Sequence, residues 1–309
     1  MSDRKALLRE AAGEDCILEQ ESMKKHTTFH IGGPADYFAA PTTEEGVQRL
    51  VKLCREMEYP FYVIGNGSNL LVSDEGYRGL VLQLYKNLSE IKVVSQNTDQ
   101  GGLIWAQSGA MLSVIAKRAL EAGLTGLEFA AGIPGTLGGA VVMNAGAYGG
   151  EMKDVLVSAT VLNRTGEILE VPVSELELGY RRSAVLANEW IVLGAKLALA
   201  DGDKETIRGR MEELKRQRIE KQPLDLPSAG STFKRPEGFF AGKLIMGAGL
   251  RGYTVGGAQV SEKHCGFVVN RGGATAADVR KLIADVSARV YENSGVTLEP
   301  EIRMLGVFL

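Results

Sequence analysis

The chain has 309 residues, 45% hydrophobic and 24% charged, the composition of an ordinary soluble globular protein with room for about two or three domains. A net charge of −3 supplies no overall positive field for nucleic acid, and Cys16, Cys54 and Cys265, scattered and without a CxxC spacing, supply neither a disulfide frame nor a zinc site. Glycine is the outlier, 38 of the 309 residues or about 12% against a usual ~7%.

Residues 1–15 alternate charge with Leu and Ala as a surface helix does and contain no apolar targeting core, so a cytoplasmic location is expected. His26 and His30 stand four apart, but Thr27, Thr28 and Phe29 between them favour extended backbone. On such backbone the two rings share a face without converging on one ion, so no metal is expected. Gly32-Gly33-Pro34 predicts a turn and 36–40 a short strand. Val47, Leu50, Val51, Cys54 and Met57 keep a 3.6-residue period that predicts a helix over 43–58, capped by Thr42 or Thr43.

Strands are expected at 61–64 and 70–72, flanking the tight polar loop Gly65-Asn66-Gly67-Ser68-Asn69. A dinucleotide fingerprint fails there, because Leu70 stands where its third glycine belongs and a strand follows; no Walker loop occurs anywhere. The loop still has the make-up of a nest, successive amides with Ser and Asn side chains around an oxyanion, although a plain β-turn has the same composition.

Further strands are expected at 81–84, 91–94 and 103–106, then a helix over 111–122 with Leu112, Ile115, Ala116, Ala119 and Leu120 inward and Gly123 ending it. Residues 126–150 follow, with eight glycines and no Lys, Arg, His or Asp. Glycine at this density lets backbone N–H groups approach a ligand closely, so a bulky anionic cofactor can be held by amides instead of charged side chains. Pro134, the Gly138-Gly139 pair and Asn144 make the stretch a poor membrane span. An ordinary glycine-rich loop is the other reading.

Strands at 155–162 and 167–171 around a hairpin turn at 163–166, and a strand at 190–199, come next, with GYRRSAVL (179–186) between them. The charges of a helix over 203–222 are mostly a solvated face. Pro223-Leu224-Asp225-Leu226-Pro227 is the clearest boundary in the chain. Beyond it, AGSTFKRP (229–236) leads to a helix over 239–247, an amphipathic helix over 274–293 and a closing strand over 296–305. In that strand Leu298, Pro300, Ile302 and Met304 fall on one face, and Glu299, Glu301 and Arg303 on the other.

Seven stretches, in order from residue 27 to residue 303, together resemble one family: TTFHIGGPADYF, YVIGNGSNLLV, GLEFAAGIPGTLGGAVVMNAGAYGGE, LGYRRS, AGSTFKRP, GAQVSEKHCGFVVN and LEPEIR. The family is the UDP-N-acetylenolpyruvoylglucosamine reductases, flavoenzymes that make UDP-N-acetylmuramate for peptidoglycan, and the likeness is to the shorter subgroup without a substrate-capping loop. The resemblance implies an α+β protein: two α/β FAD-binding domains of the vanillyl-alcohol-oxidase (PCMH) type and a C-terminal α+β substrate domain. The expected segments are 1–85, joined by 304–309, then 86–222, then 223–303. No histidine lies in the glycine-rich loops to tether a flavin, so FAD is expected to be non-covalent, with NADPH as co-substrate. Gly65, Asn66, Gly67, Ser68 and Asn69 are expected at the pyrophosphate. Gly132, Ile133, Pro134, Gly135, Gly139, Asn144, Gly146, Ala147 and Tyr148 are expected around the isoalloxazine and ribityl groups.

The implied reaction passes hydride to C3 of the enolpyruvyl ether of UDP-N-acetylglucosamine enolpyruvate, builds an enolate, and protonates C2. The motif match gives Ser231 as proton donor and Arg181 and Glu301 as enolate stabilisers. Glu299 shares Glu301's face, so only the motif separates them, just as only the preceding Gly-Tyr selects Arg181 over Arg182. A neutral Glu301 donates to an enolate where an ionised one opposes it, so a protonated Glu301 is expected in the complex. Tyr180, Lys243, Arg251, Lys263, His264 and Arg303 are expected at the substrate. No membrane or nucleic-acid partner is expected, and the chain is expected to be a monomer or weak homo-oligomer. The alternatives are an alcohol or sugar oxidase of the same flavin fold, or a catalytically silent nucleotide-binding module.

Overall fold

The structure, a computed structural model, describes residues 2–98 and 101–308. Met1, Asp99, Gln100 and Leu309 lie outside the described residues, and with them the ends of the expected first helix and of the 304–309 segment. The contacts divide the chain into two units. One holds the residues up to Leu18, Phe38–Asn66 and Val81–Arg218; the other holds Glu19–Tyr37, Gly67–Leu80 and everything from Ile219 onward. Both mix helices with sheets. One four-stranded sheet has the order Ile17–Ser22, Pro34–Ala39, Tyr77–Gln83, Phe61–Ile64.

The first unit is built on an antiparallel sheet in the order Ile168–Pro172, Leu156–Leu162, Ile191–Asp201, Gly101–Gln107, Ile91–Thr98, with Leu124–Thr125 added to the far end of the central strand. The central Ile191–Asp201 is buried continuously from Ile191 to Ala195, as a strand covered on both faces must be. Helix Leu112–Ala122 buries Leu112, Ile115, Ala116 and Ala119 of the expected stripe and leaves its fifth member, Leu120, half-buried; Gly123 closes the helix in the left-handed conformation. These side chains join Phe129, Leu137, Val141, Ala159, Val161, Val192 and Leu197 in one core. In helix Glu44–Glu56 the open choice of cap is resolved: the Thr43 hydroxyl accepts the Gly46 N–H at 3.0 Å.

The second unit has a four-stranded sheet, Ser228–Ser231, Phe267–Asn270, Ala258–Val260, Thr254–Val255, and helix Ala276–Ser294 buries Val279, Leu282, Ile283, Val286 and Val290 in the same core as Val260 and Val268. Thr275 and Asp278 form a capping box at the start of this helix, and the Asp74 carboxylate accepts from the N–H groups of Ala276 and Ala277 at 2.8 and 2.9 Å. Three first-turn donors, the N–H groups of Ala276, Ala277 and Asp278, are thus each satisfied by a side chain. Thr275→Ala is expected to cost about 1 kcal/mol, less than a sole cap would, because Asp74 keeps two of the donors; chemical denaturation measures it.

Three expected elements differ. Residues 27–29 are a turn, not extended backbone: His30 N–H donates to Thr27 O at 3.3 Å and the Asn270 side chain donates to Phe29 O at 3.1 Å. That turn buries Phe29, and a long-range core contact overrides a local preference. His26 pairs with Glu21 at 3.0 Å. The closing strand shrinks to Arg303–Leu305, paired in parallel with Leu70–Val72, while Pro300 bridges Phe233. Its alternation fails where it changes neighbours, leaving Pro300 and Met304 exposed and Leu305 buried. Finally, the glycine-rich stretch contains a seven-residue helix, Leu137–Met143, and a small hairpin of Gly146–Ala147 with Gly150–Glu151. The Gly138-Gly139 pair hid the helical spacing of the buried Leu137, Ala140 and Val141.

Candidate active site

In the first unit the two glycine-rich stretches meet. A Cβ on Gly65 would lie 2.2 Å from Thr136 Oγ1, so only glycine lets this backbone reach residue 136. The Asn66 side chain donates to Pro134 O at 2.9 Å, and Gln83 donates to Gly65 O at 3.1 Å. Ile133 N–H is tied to Ala130 O and Leu112 N–H to Gly135 O, which fixes the loop on both sides of Pro134. The Asn66 amide group is therefore engaged in joining the two stretches.

Asn144 is buried and left-handed, at φ 42°. Its amide donates to Glu151 Oε2 at 2.6 Å and to Gly179 O at 3.3 Å, and its Oδ1 accepts Lys153 N–H at 2.9 Å. One side chain thus fastens the helix end to the hairpin carrying Gly146 and Ala147 and to the turn carrying Arg181. Tyr148 stands at the hairpin tip, 38% exposed. Gly179 and Arg182 exchange backbone hydrogen bonds at 3.0 and 3.1 Å, and Ser183 donates to Val142 O at 2.7 Å. The tight turn holds Arg181 at φ 54°, with its guanidinium over the Tyr180 ring at 5.1 Å. A left-handed arginine is costly, and such positions cluster where a side chain must be aimed. Arg182, by contrast, is exposed.

In the second unit Ser231 ends strand Ser228–Ser231 opposite Phe267 and is exposed. The next residue, Thr232, is buried and does the structural work: its N–H donates to Gly266 O, its hydroxyl accepts Val268 N–H, and its carbonyl accepts Glu301 N–H at 2.8 Å. Thr232 therefore sets Ser231 and Glu301 on neighbouring segments. Asn69 anchors the same segment, donating to Glu301 O at 3.3 Å and accepting Arg303 N–H at 2.9 Å. Ser68 and Asn69 of the nest and the Glu301 segment belong to this one unit. Glu299 is 69% exposed at its side chain and ion-paired to Lys234 at 2.9 Å, whereas Glu301 is half-buried. Periodicity made those two glutamates equivalent; the structure separates them.

His264 accepts Gly266 N–H at Nδ1 over 3.1 Å and meets Phe267 edge-on at 5.1 Å. Burial pushes its pKa down, which favours the neutral ring, and an accepting Nδ1 corresponds to the tautomer protonated at Nε2. Arg251 is held by Glu262 O and Lys263 by Ile219 O, while Lys243 sits over the Phe240 ring at 5.3 Å. Cys265 is buried, with its thiol pKa raised by that burial. Thr232 escaped notice in the sequence because no local pattern marks a long-range hydrogen bond, and so did Thr136, which packs against Gly65. Arg218 escaped as well, hidden in a helix of charged residues. Among the described residues no His, Cys, Asp and Glu cluster is built to hold a metal, and no helix is long and apolar enough to cross a membrane.

Residues 35–172 match the model of an FAD binding domain, and residues 222–305 match the C-terminal domain of UDP-N-acetylenolpyruvoylglucosamine reductase. The chain is 58% identical over 298 residues to the UDP-N-acetylenolpyruvoylglucosamine reductase of Agathobacter rectalis, covering 94% of this chain and 95% of that one. It is 49% identical to the enzyme of that name from Clostridioides difficile, covering 97% and 96%. A crystal structure of the reductase from Thermus caldophilus superposes with a TM-score of 0.77 at 38% identity, over 93% of this chain and 98% of that one. A solvent-stable cholesterol oxidase, at 15% identity and a TM-score of 0.50 over 62% of this chain, shares the fold alone. The close approach of glycine-bearing backbone at Gly65 and a fully buried, unpartnered Nε on Arg218 beside Gly132 suit a large anionic cofactor, and the first unit fits FAD.

Proposed function

The chain belongs to the UDP-N-acetylenolpyruvoylglucosamine reductase family, FAD-containing oxidoreductases of peptidoglycan synthesis, and we propose that it reduces UDP-N-acetylglucosamine enolpyruvate to UDP-N-acetylmuramate in the cytoplasm at the expense of NADPH. The observation that supports this reading is the double use of Thr232, the chain neighbour of Ser231, whose carbonyl accepts the Glu301 N–H while its hydroxyl accepts Val268 N–H. FAD, when bound, supplies the hydride that C3 of the enolpyruvyl group takes up. The remaining chemistry belongs to side chains. Ser231 gives its proton to C2. Its exposure at a strand end makes the hydroxyl available, and a strongly basic carbanion makes so weak an acid competent.

Arg181 offers a permanent charge and a two-pronged donor to the carboxylate side of the enolate. Glu301, half-buried, serves as a neutral donor to the same charge. Tyr180, Lys243, Arg251, Lys263, His264 and Arg303 bind the rest of the substrate, the cations taking the diphosphate. Arg251 and Lys263, each already fixed on a carbonyl oxygen, are pre-positioned cations that lose little side-chain entropy on binding. Gly65, Asn66, Gly67, Ser68, Asn69 and residues 132–148 hold FAD non-covalently, through backbone amides.

A yellow preparation that NADPH bleaches and that the enolpyruvyl substrate reoxidises without oxygen establishes the reductase. Fast reoxidation by oxygen with indifference to that substrate indicates an oxidase, and a colourless protein that takes up no FAD removes both readings. Glu301→Gln keeps an N–H donor but not the titration, so a fall in turnover of roughly 10- to 100-fold with a changed pH profile is expected. Full activity with an unchanged profile would exclude the role.

A further inference from the structure

Helix Ala241–Gly247 ends beside Met246, and the chain turns straight back on itself: Gly249 N–H donates to Met246 O at 3.1 Å and Leu250 N–H to Ile245 O at 3.2 Å. Ile245 and Leu250 are buried in the core of the second unit, while their chain neighbours Met246 and Arg251 are both exposed. There the two side chains meet. Arg251 donates from Nη1 to Glu262 O at 2.6 Å and from Nη2 to the Met246 thioether at 3.1 Å. A thioether is a weak acceptor, so it steadies the guanidinium without competing strongly for its donors.

A second sulfur, Cys265, lies close enough for Arg251 to act on its thiol, but it is buried. That burial raises the thiol pKa against the pull of Arg251, so the group stays protonated and unreactive. Met246 is 48% exposed and needs no deprotonation to react, which makes the thioether the sulfur of this corner open to an oxidant. We propose that Met246 is an oxidation site, converted by a hydroperoxide to the sulfoxide, whose oxygen then draws Arg251 away from the substrate diphosphate. In that step a sulfur lone pair attacks the terminal peroxide oxygen, and an S–O bond forms as the O–O bond breaks. The sulfur gives up two electrons to the peroxide. The proton of the attacked hydroxyl passes to the departing oxygen, which leaves as water or an alcohol. A sulfoxide oxygen carries partial negative charge and is a strong acceptor, so it competes with phosphate oxygens for the same forked donor. Oxidation weakens substrate binding and leaves the flavin and the proton donor as they are; enzymatic reduction of the sulfoxide restores the thioether. The proposal rests on the reading of Arg251 as a cation for the diphosphate.

The test treats the FAD-loaded protein with hydrogen peroxide, removes the peroxide and assays both half-reactions, with peptide mass analysis locating the added oxygen. The expected result is oxygen on Met246 and a rise of about tenfold in KM for the enolpyruvyl substrate, at unchanged kcat and with bleaching by NADPH at the parent rate. Methionine sulfoxide reductase is expected to restore KM, and dithiothreitol alone is not. Met246→Leu is expected to keep KM within about threefold of the parent and to resist peroxide. Met246→Gln sets an amide oxygen in place of the sulfoxide oxygen and is expected to raise KM about threefold with no oxidant present; it carries the test if peroxide damages the protein elsewhere. A parental KM in protein fully oxidised at Met246 overturns the proposal. So does an equal rise of KM in peroxide-treated Met246→Leu, which would place the effect on another sulfur such as that of Met304, 40% exposed. Recovery with dithiothreitol alone would place it on a cysteine and overturns the proposal too. Arg251→Gln is assayed first: a parental KM there removes the reading of Arg251 itself, whereas a raised KM there with no response to oxidation removes only the role of Met246.

Discussion

Replacing Ser231 by alanine is expected to slow reoxidation by the enolpyruvyl substrate roughly 10²- to 10⁴-fold while bleaching by NADPH proceeds at the parent rate. The split follows from where Ser231 sits. It is exposed at the end of its strand, and the hydrogen bonds that hold this corner belong to Thr232, not to Ser231. Losing one exposed hydroxyl changes stability by less than about 0.5 kcal/mol, so a slow variant is not an unfolded one. The two half-reactions are separable by anaerobic stopped-flow absorbance. A variant with parental reoxidation would remove Ser231 as the proton source. One slowed equally in both halves would mean the serine positions the cofactor instead.

Local pattern predicts an element well here when both its period and its ends are local. Helix Glu44–Glu56 is legible because Val47, Leu50, Val51 and Cys54 supply the period and Thr43 the cap; strand Phe61–Ile64 is legible because Gly65 stops it. The elements that depart from expectation are decided by partners far along the chain. Phe29 turns inward under a hydrogen bond from Asn270, and Leu305 faces in because its strand changes neighbours from Phe233 to Val72. No window of sequence contains those pairs. The site divides in the same way. Glycine density pointed to a cradle, but the roles of Ser231, Arg181 and Glu301 came from resemblance, since a serine in a turn or a glutamate on an alternating strand carries no chemistry by itself. Geometry adds what neither supplied: Glu299 is engaged with Lys234, Asn144 is structural mortar between three segments, and Arg218 has a buried, unpartnered Nε inside a run of solvated charges.

Gly67→Ala is expected to destabilise the protein by about 3 kcal/mol or more and to yield a preparation with little bound FAD. Residue 67 has φ 62°, where a side chain alone costs roughly 1–2 kcal/mol. The added methyl would also stand 2.1 Å from His26 O and 2.9 Å from Thr27 Cα. Those atoms are backbone, fixed in part by the Thr28 N–H that donates to Gly67 O, so they have no rotamer to move into. The strain must therefore distort the nest itself, and the amides of residues 67–69 lose their common direction. Gly139→Ala supplies the contrast. Position 139 lies in helix Leu137–Met143 and the nearest atom to its Cβ is Thr136 Oγ1 at 3.8 Å, so alanine is accommodated and stabilises by about 0.5–1 kcal/mol. If Gly139 borders the flavin, its alanine variant binds FAD more weakly although it melts higher, the opposite pairing of effects from a variant that fails by unfolding. Thermal melts with and without added FAD measure both. A Gly67→Ala protein that melts and loads like the parent would show that the nest is not needed for the pyrophosphate.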